Sequence, residues 1–312
     1  MSMLSKVANR LYWMARYLER AESTARLCES YSQVILDIPQ GTGPDWFTLI
    51  KVIDGQTEFY SRYKITSERN ILKFMMSDMD NSSSIPRSIR AARENVRTTR
   101  DVLPEEIWEL MNELRMYVDE ESGRAVTRRH RFDFLQGVVE RNQRIAGLIE
   151  SAASRDHAYG FIKMGRLIER ADMSTRIIDA ATEAVRLDKD REIPDHSLIW
   201  ASALKAVSGI SAFRRTVGPL YENEDVLDFF FKNKTFPRSV EFCLIGIAEV
   251  TSYLSNSESV DKELAKLQRM VKKYDANKFT LNETHGFIDT FQEELIALDE
   301  KIAKTWFLHD EG

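Results

Sequence analysis

The sequence predicts an all-α protein, and three observations carry that prediction. Apolar residues recur at helical spacing: Leu11, Met14, Leu18, Ala21, Ala25 and Cys28 follow one another at intervals of three and four. Helix breakers are scarce, with 13 Gly and 7 Pro in 312 residues, about half the usual share. Sheets consume these residues in their turns. No stretch alternates with period two for long enough to read as a strand.

The elements follow in order. A first helix is expected over 5–36, ended by Pro39, Gly41, Gly43 and Pro44, the only loop rich in both Gly and Pro. Helices then fall near 45–63, 67–77, 83–101, 104–121 and 128–153. Ser82 to Ser84 offer N-caps, and Pro86 and Pro104 suit first-turn positions. A second series runs near 155–187, 195–217, 223–232, 237–256, 258–273 and 281–307, punctuated by Pro194 and Pro237.

The two series resemble one another. Met14-Ala-Arg-Tyr-Leu-Glu-Arg-Ala-Glu22 aligns with Met164-Gly-Arg-Leu-Ile-Glu-Arg-Ala-Asp172 at an offset of 150, and Arg26 aligns with Arg176. Lys51 to Gly55 aligns with Lys205 to Gly209 at 154, and Asn81 to Ile85 with Phe236 to Val240 at 155. Such ordered matches imply two helical units of about 150 residues, 1–152 and 153–312, packed into one bundle.

Composition narrows the function. Lys and Arg total 44 against 49 Asp and Glu, a net charge of −5, which argues against a nucleic-acid binder. An apolar run such as Cys243 to Ala248 is far shorter than the roughly 18 residues of a membrane span. Met1 to Arg20 is interrupted by Lys6, Arg10 and Arg16 and has no signal-peptide core. Cys28 and Cys243 stand alone, which fits a reducing cytoplasm and no thiolate metal site. No Gly-rich phosphate loop and no G-x-S-x-G occurs. None of the five histidines lies three residues after a Glu, so the di-iron spacing of helical bundles is missing. No catalytic residue, metal or cofactor is expected, and Cys28, on an apolar arc, reads as a buried inert thiol.

Charged side chains carry the candidate site. On a helical wheel Arg16, Glu19, Arg20, Glu22 and Arg26 lie opposite the apolar face, and Arg166, Glu169, Arg170, Asp172 and Arg176 repeat the arrangement. Arg16/Arg20 and Arg166/Arg170 are like-charge i,i+4 pairs, mildly destabilising in isolation. A partner on another helix accounts for them. Glu19 is expected to answer Arg166 or Arg170, and Glu169 to answer Arg16 or Arg20. The alternative use of the same residues is an anion site between the two helices, with Glu19 or Glu169 as acid or base. A stripe of Arg87, Arg90, Arg93, Arg97 and Arg100 lies on one helix face. It is either paired with acids such as Glu105, Glu106 and Glu109 or a docking surface for an acidic partner. A second basic cluster follows, Arg124, Arg128, Arg129, His130 and Arg131. Phe229-Phe-Phe231 and Trp306-Phe307 are expected to be packing anchors.

Tyr17-Leu-Glu-Arg-Ala-Glu22 and Leu167-Ile-Glu-Arg-Ala-Asp172 resemble the twin E-R signature of the bacterial Alpha-E domain, an all-helical domain of unknown function. The opening Leu4 to Met14, Ser83-Ser-Ile85, Ala92-Arg-Glu-Asn-Val-Arg97 and Arg155-Asp156 are similar to that family in the same order, over essentially the whole chain. Two positions depart from it. Ser82 follows Asn81 where the family often has Pro, and Asn233 stands where it often has Asp, while Asp78 keeps the acid in the first unit. The resemblance implies an accessory role beside ATP-grasp-type ligases and transglutaminase-like cysteine peptidases, in a system acting on peptide-like amide bonds. The expected function is therefore a non-catalytic cytoplasmic scaffold or adaptor with a protein partner of that kind.

Overall fold

The computed structural model describes residues 5–37, 45–187 and 196–307. Those residues form helices and no strand: α1 (Ser5–Asp37), α2 (Thr48–Val52), α3 (Gln56–Arg62), α4 (Glu68–Met76), α5 (Ile85–Arg97), α6 (Glu106–Glu121) and α7 (Arg128–Ala152). Then come α8 (His157–Leu187), α9 (Ser197–Ala206), α10 (Ile210–Thr216), α11 (Asn223–Lys232), α12 (Val240–Thr251), α13 (Glu258–Lys273) and α14 (Leu281–Ile302). A 3₁₀ turn at Arg100–Val102 and a π turn at Ala303–Phe307 complete the list. No helix among the described residues is long and apolar enough to cross a membrane.

Caps fix several starts. Ser84 and Ser239 accept from the backbone N–H of Arg87 and Phe242, at the heads of α5 and α12. Thr280 and Glu283 close a reciprocal capping box on α14. Two expected helices are broken in the middle. The helix expected over 45–63 splits at Asp54, which has φ 53°, and the one expected over 195–217 splits at Ser208, with φ 55°. In each case the chain turns through a left-handed residue followed by Gly. Gly55 N–H donates to Ile50 O at 2.9 Å, and Gly209 N–H to Leu204 O at 2.6 Å, which satisfies the helix-end carbonyl.

α1 and α8 are the two central helices and pack on each other. α1 is flanked by α5 and α7, with α6 bridging those two; α8 is flanked by α12 and α14, with α13 bridging them. The short helices cross over: α2 rests on α8, and α9 rests on α1. The α1–α8 crossing is close. A Cβ on Gly165 would lie 2.2 Å from the backbone oxygen of Tyr12, so only glycine fits there.

The core is continuous through both halves. Phe229, Phe230 and Phe231 are buried, and Phe231 meets the rings of Tyr274 and Phe287 at 4.8 and 5.3 Å. At the chain's far end Phe307 packs 5.2 Å from Tyr12, tying the last turn to α1. Cys28 and Cys243 are buried, and burial pushes both thiols up to about 12, so neither is a nucleophile at neutral pH.

Candidate functional site

The charged faces of α1 and α8 meet at the crossing. Glu169 is 1 % exposed and sits between two arginines of α1. Its carboxylate accepts from Arg16 Nε at 2.8 Å, and from Arg20 Nε and Nη2 at 2.5 and 2.9 Å. Arg16 turns its Nη1 to Asp299 of α14 at 2.7 Å, and the Tyr12 hydroxyl donates to the same carboxylate. Arg16 also lies over the Trp13 ring, 4.6 Å from its centroid. The reverse pairing is made by Glu19, 3 % exposed, which accepts from Arg170 Nε at 3.0 Å and Nη2 at 2.7 Å. Both are fork-on-carboxylate contacts, the geometry that favours Arg over Lys.

Arg238, between α11 and α12, joins the same network. It donates to Glu19, and its Nη2 reaches Glu22 at 2.8 Å. Glu22 also holds Arg26 at 2.8 Å, and on α8 Asp172 holds Arg176 at 3.0 Å, the matching i,i+4 pair.

Competing forces set the protonation states. Burial pushes the Glu19 carboxyl up, but Arg170 and Arg238 outweigh it and hold it well below the usual carboxylate range. Glu169 is likewise lowered, burial being outweighed by Arg20 and Arg16. At Asp172 burial wins over Arg176, and its carboxyl is raised. Arg170 is raised, since Glu19 more than offsets its burial.

The expected cross-pairing therefore holds for Glu19 with Arg170 and for Glu169 with both Arg16 and Arg20. Arg166 goes elsewhere: its Nη2 reaches Glu150 of α7 at 2.8 Å, where Arg155 and the Tyr159 hydroxyl also bind. Of the two candidates for Glu19 it is Arg170 that binds, and Arg238 is a second partner that was not expected. Asp156 accepts from the Tyr159 N–H at 3.2 Å, in the first turn of α8. Asp78 is not bonded to the network. It binds Arg62 at 2.7 Å, the Tyr63 hydroxyl at 2.8 Å and the Asp80 N–H at 2.9 Å. Asn233 makes the equivalent turn with the Thr235 N–H at 2.9 Å.

With the fold and the charge network placed, the family follows. The Alpha-E family, described as a predicted alpha-helical domain with a conserved ER motif, matches residues 3–307. The chain belongs to the Alpha-E family. No curated protein and no solved structure matches it. In this Alpha-E chain the two E-R dipeptides, Glu19-Arg20 and Glu169-Arg170, face one another, and each Glu is gripped by the Arg of the other dipeptide.

The basic stripe is engaged at four of its five arginines, and Arg87 is exposed. Arg90 pairs with Asp119 at 3.0 Å, Arg97 with Glu94 at 2.8 Å, and Arg93 with Glu94 at 3.0 Å. Arg93 and Arg100 both cover the Trp108 ring, 4.7 and 3.9 Å from its centroid. The acids are thus Asp119 and Glu94, not the expected Glu105, Glu106 and Glu109. Those three make no ion pair with the stripe among the described residues, although Arg93 and Arg100 meet the first turn of α6 at Trp108. Arg131 of the second cluster is only 2 % exposed and binds Glu68 at 2.7 Å, which makes it a buried tie.

A second polar constellation was invisible to the sequence reading. Asp179 of α8 and His285 of α14 are 106 residues apart, yet Nδ1 of His285 lies 2.6 Å from Asp179 Oδ1. Asp289, one turn on from His285, stands 3.7 Å from Nε2. These groups line a cleft of about 610 Å³ between α2, α8 and α14.

Proposed function

We propose that this Alpha-E protein is a non-catalytic helical scaffold or adaptor, acting in the cytoplasm beside an ATP-grasp-type ligase or a transglutaminase-like peptidase. One observation supports the scaffold reading above the others. Arg16, Arg20, Arg26, Arg166, Arg170, Arg176 and Arg238 each already hold a carboxylate of the chain itself. An incoming anion would have to displace a carboxylate that the chain already supplies. The space beside Glu19, Glu22 and Arg166 is about 30 Å³, room for one water. The alternative reading, an anion site between the two E-R helices, thus has neither an unengaged arginine nor a cavity there among the described residues. The network locks α1 to α8, and partner recognition falls to the outer surface. The nature of the partner rests on the family resemblance alone.

The doubled architecture belongs to the same proposal. Left-handed Asp54 and Ser208, capping Ser84 and Ser239, and the Asp78 and Asn233 turns recur at offsets of 154, 155 and 155. These are the offsets at which the sequence aligns with itself, and they favour two copies of one helical unit.

The test is a tagged pull-down from the native host at low and high salt, with the retained proteins identified by mass spectrometry. A ligase or peptidase of these classes retained at low salt is the expected result. Neither class retained at either salt overturns the adaptor reading.

A further inference from the structure

The His285 cluster lies outside the E-R network, and nothing in the scaffold reading uses it. Its arrangement is specific. Asp179 receives Nδ1 at 2.6 Å and so fixes the ring, which leaves Nε2 directed toward Asp289. A carboxylate on one ring nitrogen with the other nitrogen free is the support that metal-bound histidines carry. The gap between Nε2 and Asp289 Oδ2 is 3.7 Å. An ion about 2.1 Å from each atom, the usual zinc distance, would subtend roughly 120° there, close to tetrahedral. One ligand atom from each of Asp179, His285 and Asp289 lies within 4.8 Å of the other two.

The surroundings favour a cation. Asp45, Asp54 and Glu183 line the same cleft, against Lys51 and an Arg176 already tied to Asp172. Gln56 adds a side-chain oxygen that is shielded from solvent and has no donor. The side chains of His285 and Asp289 are 40 % and 59 % exposed, so an ion can enter and keep open positions. The molecule also supplies a comparison. A smaller cleft of about 310 Å³ is lined by Arg26, Glu29, Lys205 and Ser208. These align with Arg176, Asp179, Lys51 and Asp54 of the larger cleft at the offsets of 150 and 154. It has a carboxylate where Asp179 stands, but neither a His nor a second acid lines it.

We propose that the α8–α14 cleft binds one first-row divalent transition-metal ion, with His285 and Asp289 as direct ligands, Asp179 as the positioning carboxylate, and the remaining positions open to water or an anionic ligand. One imidazole among carboxylates selects zinc-, cobalt- or manganese-type ions over magnesium and calcium, which prefer oxygen alone. The proposal is independent of the adaptor reading.

The experiment is calorimetric titration of the full chain with Co²⁺ alone, accompanied by visible absorption. One ion per chain is expected, with visible bands that appear in step with the heat. His285→Ala and Asp289→Asn should each weaken binding by at least tenfold, and Asp179→Asn by about 10–100-fold. Glu29→Gln, in the smaller cleft, should change nothing. Thermal melts without metal check that every variant is folded. Wild-type protein that binds no Co²⁺ up to millimolar concentration overturns the proposal, as does a folded His285→Ala that binds as tightly as wild type.

Discussion

Replacing Glu169 with Ala is the sharpest probe of the network. The side chain is 1 % exposed and neutralises two guanidinium groups. Arg16 would keep Asp299 at 2.7 Å, but Arg20 has no second carboxylate within ion-pair distance among the described residues. Removing one partner of a buried pair costs about 3–5 kcal/mol, mostly from the charge left behind. An unfolding entropy of about 2.1 cal/mol/K per residue gives roughly 0.65 kcal/mol per degree for a chain of this size. The melting temperature should therefore fall by about 5–8 °C if unfolding is two-state. The control is Glu94→Ala, on the exposed stripe, where the loss should be at most about 1 °C. Differential scanning calorimetry at low scan rate reads both. A second variant separates charge from packing: Glu169→Leu with Arg20→Met removes the pair together and should recover much of the loss. If Glu169→Ala melts within a degree of Glu94→Ala, the network is not a structural clasp and the reasoning fails.

Two further predictions follow from the same geometry. Gly165→Ala places a methyl group against the Tyr12 backbone, which cannot rotate away as a side-chain tip can. It should cost at least as much as Glu169→Ala, read by urea denaturation, and an unchanged midpoint would refute the close crossing. Acid should act through Glu19 and Glu169, whose carboxyls are held low in the folded protein. Their stabilisation is complete above about pH 4.5 and is lost as pH falls through their depressed values, while Asp172, raised by burial, works in the opposite sense. Melting temperature between pH 5 and 3 should therefore fall more steeply for the wild type than for Glu169→Gln, and equal slopes would refute it.

Local pattern revealed most of the fold. Apolar spacing located every long helix, because burial of one face is what makes each helix stable. The breaks at Asp54 and Ser208 escaped notice. A left-handed non-Gly residue before Gly leaves little trace in hydrophobic period, and Lys51 to Gly55 reads as continuous helix. In the site, the Glu19–Arg170 and Glu169–Arg16 pairings were legible, since like charges one turn apart call for a partner on another element. Arg238 and Asp299 were not, because each lies more than 200 residues from its partner, and Glu150 was not, because it reaches Arg166 across the turn between α7 and α8. Arg238 was visible only as part of the Phe236 to Val240 segment that aligns with Asn81 to Ile85. The His285 cluster was missed for a related reason. A metal-ligand spacing such as E-x-x-H lies within one helix, whereas Asp179 comes from α8 and the other two groups from α14.

The crossing over of α2 and α9 has a consequence for how the protein is made. While the chain is being synthesised, α1 emerges first, yet the helices that cover its charged flank come much later. Glu19 waits for Arg170 and Arg238, and Arg16 waits for Asp299, 283 positions further along the chain. At about 5–20 residues per second that interval is roughly 15–60 s. Over the first half of that interval Arg16, Glu19 and Arg20 have none of these partners, and only Glu22 and Arg26 pair within α1 itself. The charged flank of α1 is thus completed in stages, first by α8, then by Arg238, and last by Asp299 of α14.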